Sequence, residues 1–193
     1  KDFQKITIKK ALNHPNWKMG KKISIDSATL INKIFEVIEA KNIFNIPYNK
    51  IKILIHPNSY VHAIIKTNDG LIKIIAHDTT MKIPIYNTLI FNNKKKIVTK
   101  KINISKLNNL SFEDVNPKRY PIINLLKLIP NNHSLYETII VSANDVLVDL
   151  FLKKQIKFNQ ISTNFFKAIN QKEFLKYKKI RPKNVKEIVH LNN

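Results

Sequence analysis

Cysteine is absent from all 193 residues, which removes disulfides, thiolate metal sites and cysteine nucleophiles together and fits a reducing compartment. Glycine is almost absent. Only Gly20 and Gly70 occur, whereas a dinucleotide-binding fold needs several glycines within its first strand-to-helix turn, so no nicotinamide-binding fingerprint exists in this chain. Arginine is scarce too: Arg119 and Arg181 stand against a Lys+Arg total of 34. No apolar run approaches the length of a membrane span and no signal-peptide pattern is visible, so a cytoplasmic location without membrane association is expected.

What is present is lysine, asparagine and isoleucine in excess, with a formal net charge of +21 and 44% hydrophobic residues. A chain this basic binds phosphate polymers non-specifically at low salt, which makes a nucleic-acid-binding module the main rival reading. The arginine shortage opposes it, because base and phosphate readers rely on the bidentate guanidinium. The lysines are also dispersed, and the densest group, Lys94 to Lys96 with Lys100 and Lys101, falls in an expected linker. The expectation is therefore no nucleic-acid partner.

The most informative stretch is residues 14–40, HPNWKMGKKISIDSATLINKIFEVIEA. Asp26-Ser27 precede helix-forming Ala28, so Ser27 is expected to be an N-cap at the start of a helix, where free backbone N–H groups favour an anion. From there the 100° step places Leu30, Ile34, Val37 and Ile38 on one face and Thr29, Asn32, Lys33, Glu36 and Glu39 on the other. An ordinary amphipathic surface helix has the same pattern. A hydroxyl, an amide, an ammonium and a carboxylate close together at one helix start nevertheless suit a ligand with a phosphate at one end and a metal-bound oxygen at the other.

The run resembles the catalytic region of the 1-deoxy-D-xylulose 5-phosphate reductoisomerase family, whose pattern HPNW-x-MG-x-KI-x-x-DSAT-x-x-NK-x-x-E-x-IEA it meets, with Ile34 where glycine is usual. The resemblance continues in IHPNSYVH at 55–62, MKIPI at 81–85, the segment from Phe112 to Pro121 ending RYP, and SAND at 142–145. It implies an NADPH-dependent enzyme that isomerises a sugar phosphate to an aldehyde and reduces it to 2-C-methyl-D-erythritol 4-phosphate. By the same resemblance, Ser27, Asn32 and Lys33 hold the substrate phosphate, and Glu36 is one carboxylate ligand of Mg²⁺ or Mn²⁺. His14 lies near the substrate, and Trp17 and Met19 belong to a mobile loop closing over it. Ser59 and His62 line the substrate, and Met19 and Met81 approach the nicotinamide cofactor. The family's Asp-Ser-Glu-His and Ser-Gly-Gly motifs do not occur here, so the chain is expected to be a C-terminal portion of a longer, homodimeric enzyme and inactive alone.

The expected fold class is α+β: an α/β catalytic part with a small mixed sheet over 1–91, a linker over 92–116, and a C-terminal all-α bundle over 117–193. Residues 51–55 read as a buried strand, and 61–66 with 71–77 as a hairpin around Gly70. Ile85 to Phe91 read as a short helix with Pro84 in its first turn. Helices are expected over 122–129, 135–152, 161–169 and 183–189. His56, His62 and His77 lack the converging carboxylate that a zinc site needs, and Asn144-Asp145 reads as a helix cap or, by the resemblance, as support for the site. A third reading keeps the fold without the chemistry, as an inactive scaffold dimerising through the hairpin.

Overall fold

The structure, a computed structural model, describes residues 5–13, 19–90 and 96–192. His14 and Trp17, two of the expected site residues, lie outside them. In chain order the elements are α1 (Ile8–Leu12), α2 (Lys21–Thr29), α3 (Ile31–Phe44), β1 (Leu54–Ile55), β2 (Val61–Lys66), β3 (Ile72–Ala76), α4 (Lys82–Leu89), α5 (Ile104–Asn108), β4 (Glu113–Asp114), α6 (Tyr136–Leu152), α7 (Phe158–Ile169), α8 (Lys172–Leu175) and α9 (Val185–Asn192). Short 3₁₀ turns cover Tyr48–Lys50, Pro121–Lys127 and Lys176–Lys179. The α+β class expected from sequence holds, and the strands form two antiparallel pairs, β1 with β4 and β2 with β3.

Packing divides the chain into one unit made of residues 1–53 and 115–193, and a second made of 54–114. Residues 54–90 thus group with the described part of the expected 92–116 linker up to Asp114. The first unit joins the motif-bearing helices to the C-terminal bundle, because α2 packs on α6 and α3 on the Pro121–Lys127 turn. Its core is built from Ile25, Ile31, Ile34, Leu125, Tyr136, Ile140, Val148, Phe165 and Ile169, all close to fully buried. α7 shows how sequence produces this. Phe158, Ile161, Phe165 and Ile169 recur at helical spacing and are buried, while the Lys157 backbone N–H donates to Gln160 Oε1 at 2.7 Å and closes the helix start. The Tyr136 hydroxyl donates to the Ile169 carbonyl at 3.1 Å, tying α6 to the end of α7.

The second unit centres on the hairpin. β2 and β3 pair in register Ile64 to Ile74 and Lys66 to Ile72, with Gly70 at φ 88° in the turn, a left-handed conformation that glycine adopts without steric cost. The 92–116 segment is not a plain tether in its described part. α5 starts with the Asn103 side chain accepting from the Lys106 N–H at 2.9 Å, the Lys106 ammonium lies over the Tyr60 ring at 5.3 Å, and β4 pairs with β1. The expected buried strand over 51–55 shrinks to two residues, and Leu54 is exposed.

Candidate functional site

The residues of the 14–40 motif are organised by a break. α2 begins at Lys21, not Ala28, because Gly20 serves as its N-cap and the Ser24 hydroxyl returns a hydrogen bond to the Gly20 carbonyl at 2.9 Å. Ser27 is consequently not an N-cap, as expected from the Asp-Ser-Ala order, but sits in the last turn of α2. Leu30 then adopts φ 73°, ψ 5°, ends α2 by donating its N–H to the Ser27 carbonyl at 3.2 Å, and opens α3. A non-glycine residue in the left-handed region is strained, and persists only where its surroundings over-determine it. Here the Leu30 side chain is buried, and Thr29 staples the joint. Its hydroxyl donates to the Asp26 carbonyl at 3.1 Å and accepts a long bond from the Ile31 N–H at 3.5 Å.

The break leaves Ser27 on one side of a bent joint and the first turn of α3 on the other. Asn32, Lys33 and Glu36 come together on the outer face of α3: Asn32 Nδ2 donates to Glu36 Oε1 at 2.7 Å, and Lys33 Nζ donates to Oε1 at 3.0 Å and Oε2 at 2.7 Å. The Lys33 and Glu36 side chains are 50% and 47% exposed. A half-exposed pair at this helical spacing is worth only about 0.3–0.5 kcal/mol, so an arriving anion can draw the ammonium away and an arriving cation the carboxylate. The opposite face packs as its apolar spacing predicts, with Ile34, Val37 and Ile38 buried, while Thr29, expected on the polar face, is buried at the joint.

Sequence reasoning missed Asp26 and Lys22 beneath the joint, where they meet the Asn144-Asp145 pair that it read as a cap or as support for the site. Asp26 is only 2% exposed, its Oδ1 accepting from Asn144 Nδ2 at 2.9 Å and its Oδ2 pairing with Lys22 Nζ at 2.8 Å. Lys22 also lies 2.9 Å from Asp145 as an ion pair. Partial burial pushes the Lys22 ammonium down, but the bonds to Asp26 and Asp145 outweigh it and leave its pKa raised. Asn144 lies in the interior of α6, not at a helix start as a cap would. A signal existed in principle at Asn144, a polar residue inside the largely apolar α6.

The remaining expected residues belong to the second unit, apart from Met19, which is half-buried just before Gly20. Ser59 has φ 48°, with its N–H donating to the His56 carbonyl at 3.1 Å. His62 stacks on His77 with ring centroids 3.7 Å apart, and its Nε2 lies 3.2 Å from the His77 carbonyl. His56 Nδ1 lies 2.8 Å from the Ser111 carbonyl, and its ring stacks on Phe112. Met81 is exposed at the start of α4 and lines, with Thr80, Ile85, Tyr86 and Leu89, a wide-open apolar depression. Among the described residues no three His, Cys, Asp or Glu side chains converge on a point that could hold a metal ion. No helix is long and apolar enough to cross a membrane among them either.

Comparison with known proteins agrees with this arrangement of helices and motifs. Residues 1–44 match the family described as 1-deoxy-D-xylulose 5-phosphate reductoisomerase C-terminal domain, and residues 78–193 match DXP reductoisomerase C-terminal domain. The chain belongs to the DXP reductoisomerase family. The 1-deoxy-D-xylulose 5-phosphate reductoisomerase of Pelagibacter ubique is 54% identical over 193 residues, covering 100% of this chain and 50% of that protein. The enzyme of the same name from Persephonella marina is 40% identical over 177 residues, covering 91% and 47%. A crystal structure of DOX-P reductoisomerase in complex with NADPH, fosmidomycin and magnesium superposes with a TM-score of 0.89 at 27% identity, covering 98% of this chain and 48% of that one. The Zymomonas mobilis enzyme in complex with NADPH gives 0.82 at 29% identity, covering 100% and 48%. The chain thus spans about half the length of the relatives it matches.

Proposed function

We propose that this chain is the substrate-gripping and C-terminal portion of an NADPH-dependent reductoisomerase that converts 1-deoxy-D-xylulose 5-phosphate to 2-C-methyl-D-erythritol 4-phosphate. The observation that carries this is the contact of Asn32, Lys33 and Glu36 on one open helix face, one turn beyond the joint at Leu30. In this reading Ser27, Asn32 and Lys33 hold the phosphate. Lys33 exchanges its weak partner Glu36 for a dianion, and phosphate binding energy is converted into orientation at the reacting carbons. His14 and Trp17 cover the substrate and exclude water, with Met19 in the same loop. Ser59 and His62 contact the sugar, and Met81 the nicotinamide.

Glu36 fits a hard divalent cation as one exposed carboxylate donor, which suits Mg²⁺ or Mn²⁺ rather than a softer metal. The described residues supply no second and third ligand around it, so the others must come from outside them. When bound, such a cation stabilises negative charge on substrate oxygens. The isoleucines exposed on both faces of the hairpin are a surface for further protein, which this reading assigns to a homodimer.

The test is Glu36→Gln in a full-length enzyme carrying this chain. Metal-dependent turnover should fall by at least about a thousandfold while the circular dichroism spectrum is unchanged, a loss of the size expected when a charge-stabilising group is removed. Turnover within tenfold of wild type would remove Glu36 from the chemistry.

A further inference from the structure

The joint between α2 and α3 is held from below. Asp26 is adjacent to Ser27, almost fully buried, and satisfied on both oxygens, by Asn144 of α6 and by Lys22. A carboxylate is tolerated in such a place only when both oxygens are bonded, so any shift of α2 along α6 would leave it exposed to an uncompensated desolvation cost. From Asp26 the connections continue through its own carbonyl to Thr29, and through Thr29 to the N–H of Ile31, the first residue of α3. One line of polar contacts therefore runs from the middle of α6 to the start of the helix bearing Asn32 and Lys33. The adjoining Leu30 is left-handed without being glycine, a conformation that relaxes if its supports loosen.

We infer that Asp26 and Asn144 are positioning residues that fix Ser27 against the first turn of α3, and so set the width of the phosphate grip. This rests on the phosphate role proposed for Ser27, Asn32 and Lys33. Neither Asp26 nor Asn144 touches the ligand in this scheme. Their effect should be confined to phosphate recognition, because Glu36 lies further along α3 and is not part of the joint. Burying a polar pair merely to dock α2 on α6 would instead lower stability without changing substrate recognition.

The experiment measures KM for the sugar phosphate, kcat and the Mg²⁺ activation constant in a full-length enzyme carrying this chain, well below its melting temperature. Asn144→Ala should raise KM about tenfold, equivalent to about 1.4 kcal/mol of lost binding, with kcat and the Mg²⁺ constant within about threefold of wild type. The exchange Asp26→Asn with Asn144→Asp rebuilds the bond in the opposite sense and should bring KM back to within about threefold. An unchanged KM in folded Asn144→Ala overturns the inference. So does a parallel change of KM, kcat and the metal constant, which reports general loosening. Should Asn144→Ala fail to fold, Asn144→Ser, too short to reach Asp26, carries the same two outcomes. Ser27→Ala and Lys33→Met serve as separate controls: if both leave KM unchanged, the phosphate reading itself fails, whatever Asn144 does.

Discussion

The two packing units draw on the same isoleucine-rich composition and use it in opposite ways. In the helical unit most of the core is isoleucine: Ile25, Ile31, Ile34, Ile140 and Ile169 are essentially inaccessible, while Ile23 and Ile43 stay exposed. Among the described residues of the hairpin unit only Tyr60 is buried, and Ile64, Ile65, Ile72, Ile74 and Ile75 face outward. Consecutive strand residues point to opposite faces, so Ile64 and Ile65 being exposed together means that both faces of the hairpin carry exposed isoleucine among the described residues. The difference teaches that the helical unit buries its isoleucines by joining helices from distant parts of the chain, whereas a two-stranded sheet is too small to bury its own.

The sharpest way to test that contrast is to truncate one isoleucine in each unit. Ile140→Ala should destabilise the helical unit by about 2–5 kcal/mol through lost burial and a residual cavity. Ile74→Ala, at a side chain 50% exposed, should cost the hairpin unit only about 0.5 kcal/mol. Hydrogen exchange resolved by segment reads both, and comparable costs would mean that the hairpin has a covered core after all. An effect between these two is expected from Gly70→Ala, which forces a side chain into a backbone at φ 88°. It should destabilise the hairpin by about 1 kcal/mol while leaving protection of α6 unchanged.

The smallest expected effect lies inside the helical unit. Burial pushes the Glu137 carboxyl above its ordinary value of 4.5, opposed in part by the Asn42 hydrogen bond and by Lys41 and His133. A folded-state pKa above the unfolded one means that its contribution to stability is fully present below about pH 4.5 and is lost as pH rises through the raised value. Glu137→Gln should therefore melt slightly higher than wild type near neutral pH, by on the order of a degree or two, with the two curves meeting in acid. A variant that melts lower at neutral pH would show that the ionised carboxylate stabilises the fold.

Much of the fold was legible because local signals agreed with tertiary packing. The 61–66 and 71–77 runs around Gly70 became β2 and β3, Pro84 fell in the first turn of α4, and the long apolar period over 135–152 became α6. α8 and the described part of the 92–116 segment were not legible, since four-residue helices and two-residue strands leave no period to read. At the candidate site the meeting of Asn32, Lys33 and Glu36 on one helix face was legible, and the joint beneath them was not. Asp26-Ser27-Ala28 carries the chemistry of an N-cap, yet the helix is capped at Gly20, begins at Lys21 and continues through these residues, with Ile25 and Asp26 buried beneath it.

By itself the sequence determined the family, the spacing that brings Asn32, Lys33 and Glu36 onto one helix face, and the impossibility of a glycine-rich nucleotide turn. Those depend on residue identity and the fixed geometry of a helix. Only the tertiary structure decided that the chain bends at Leu30, that Asp26 is buried against Asn144 more than a hundred positions away, and that one unit closes its core while the other leaves its isoleucines outside. The reason is that strain at a left-handed leucine and the desolvation of a carboxylate are tolerable only when distant parts of the chain supply the compensating contacts, and no local pattern records those.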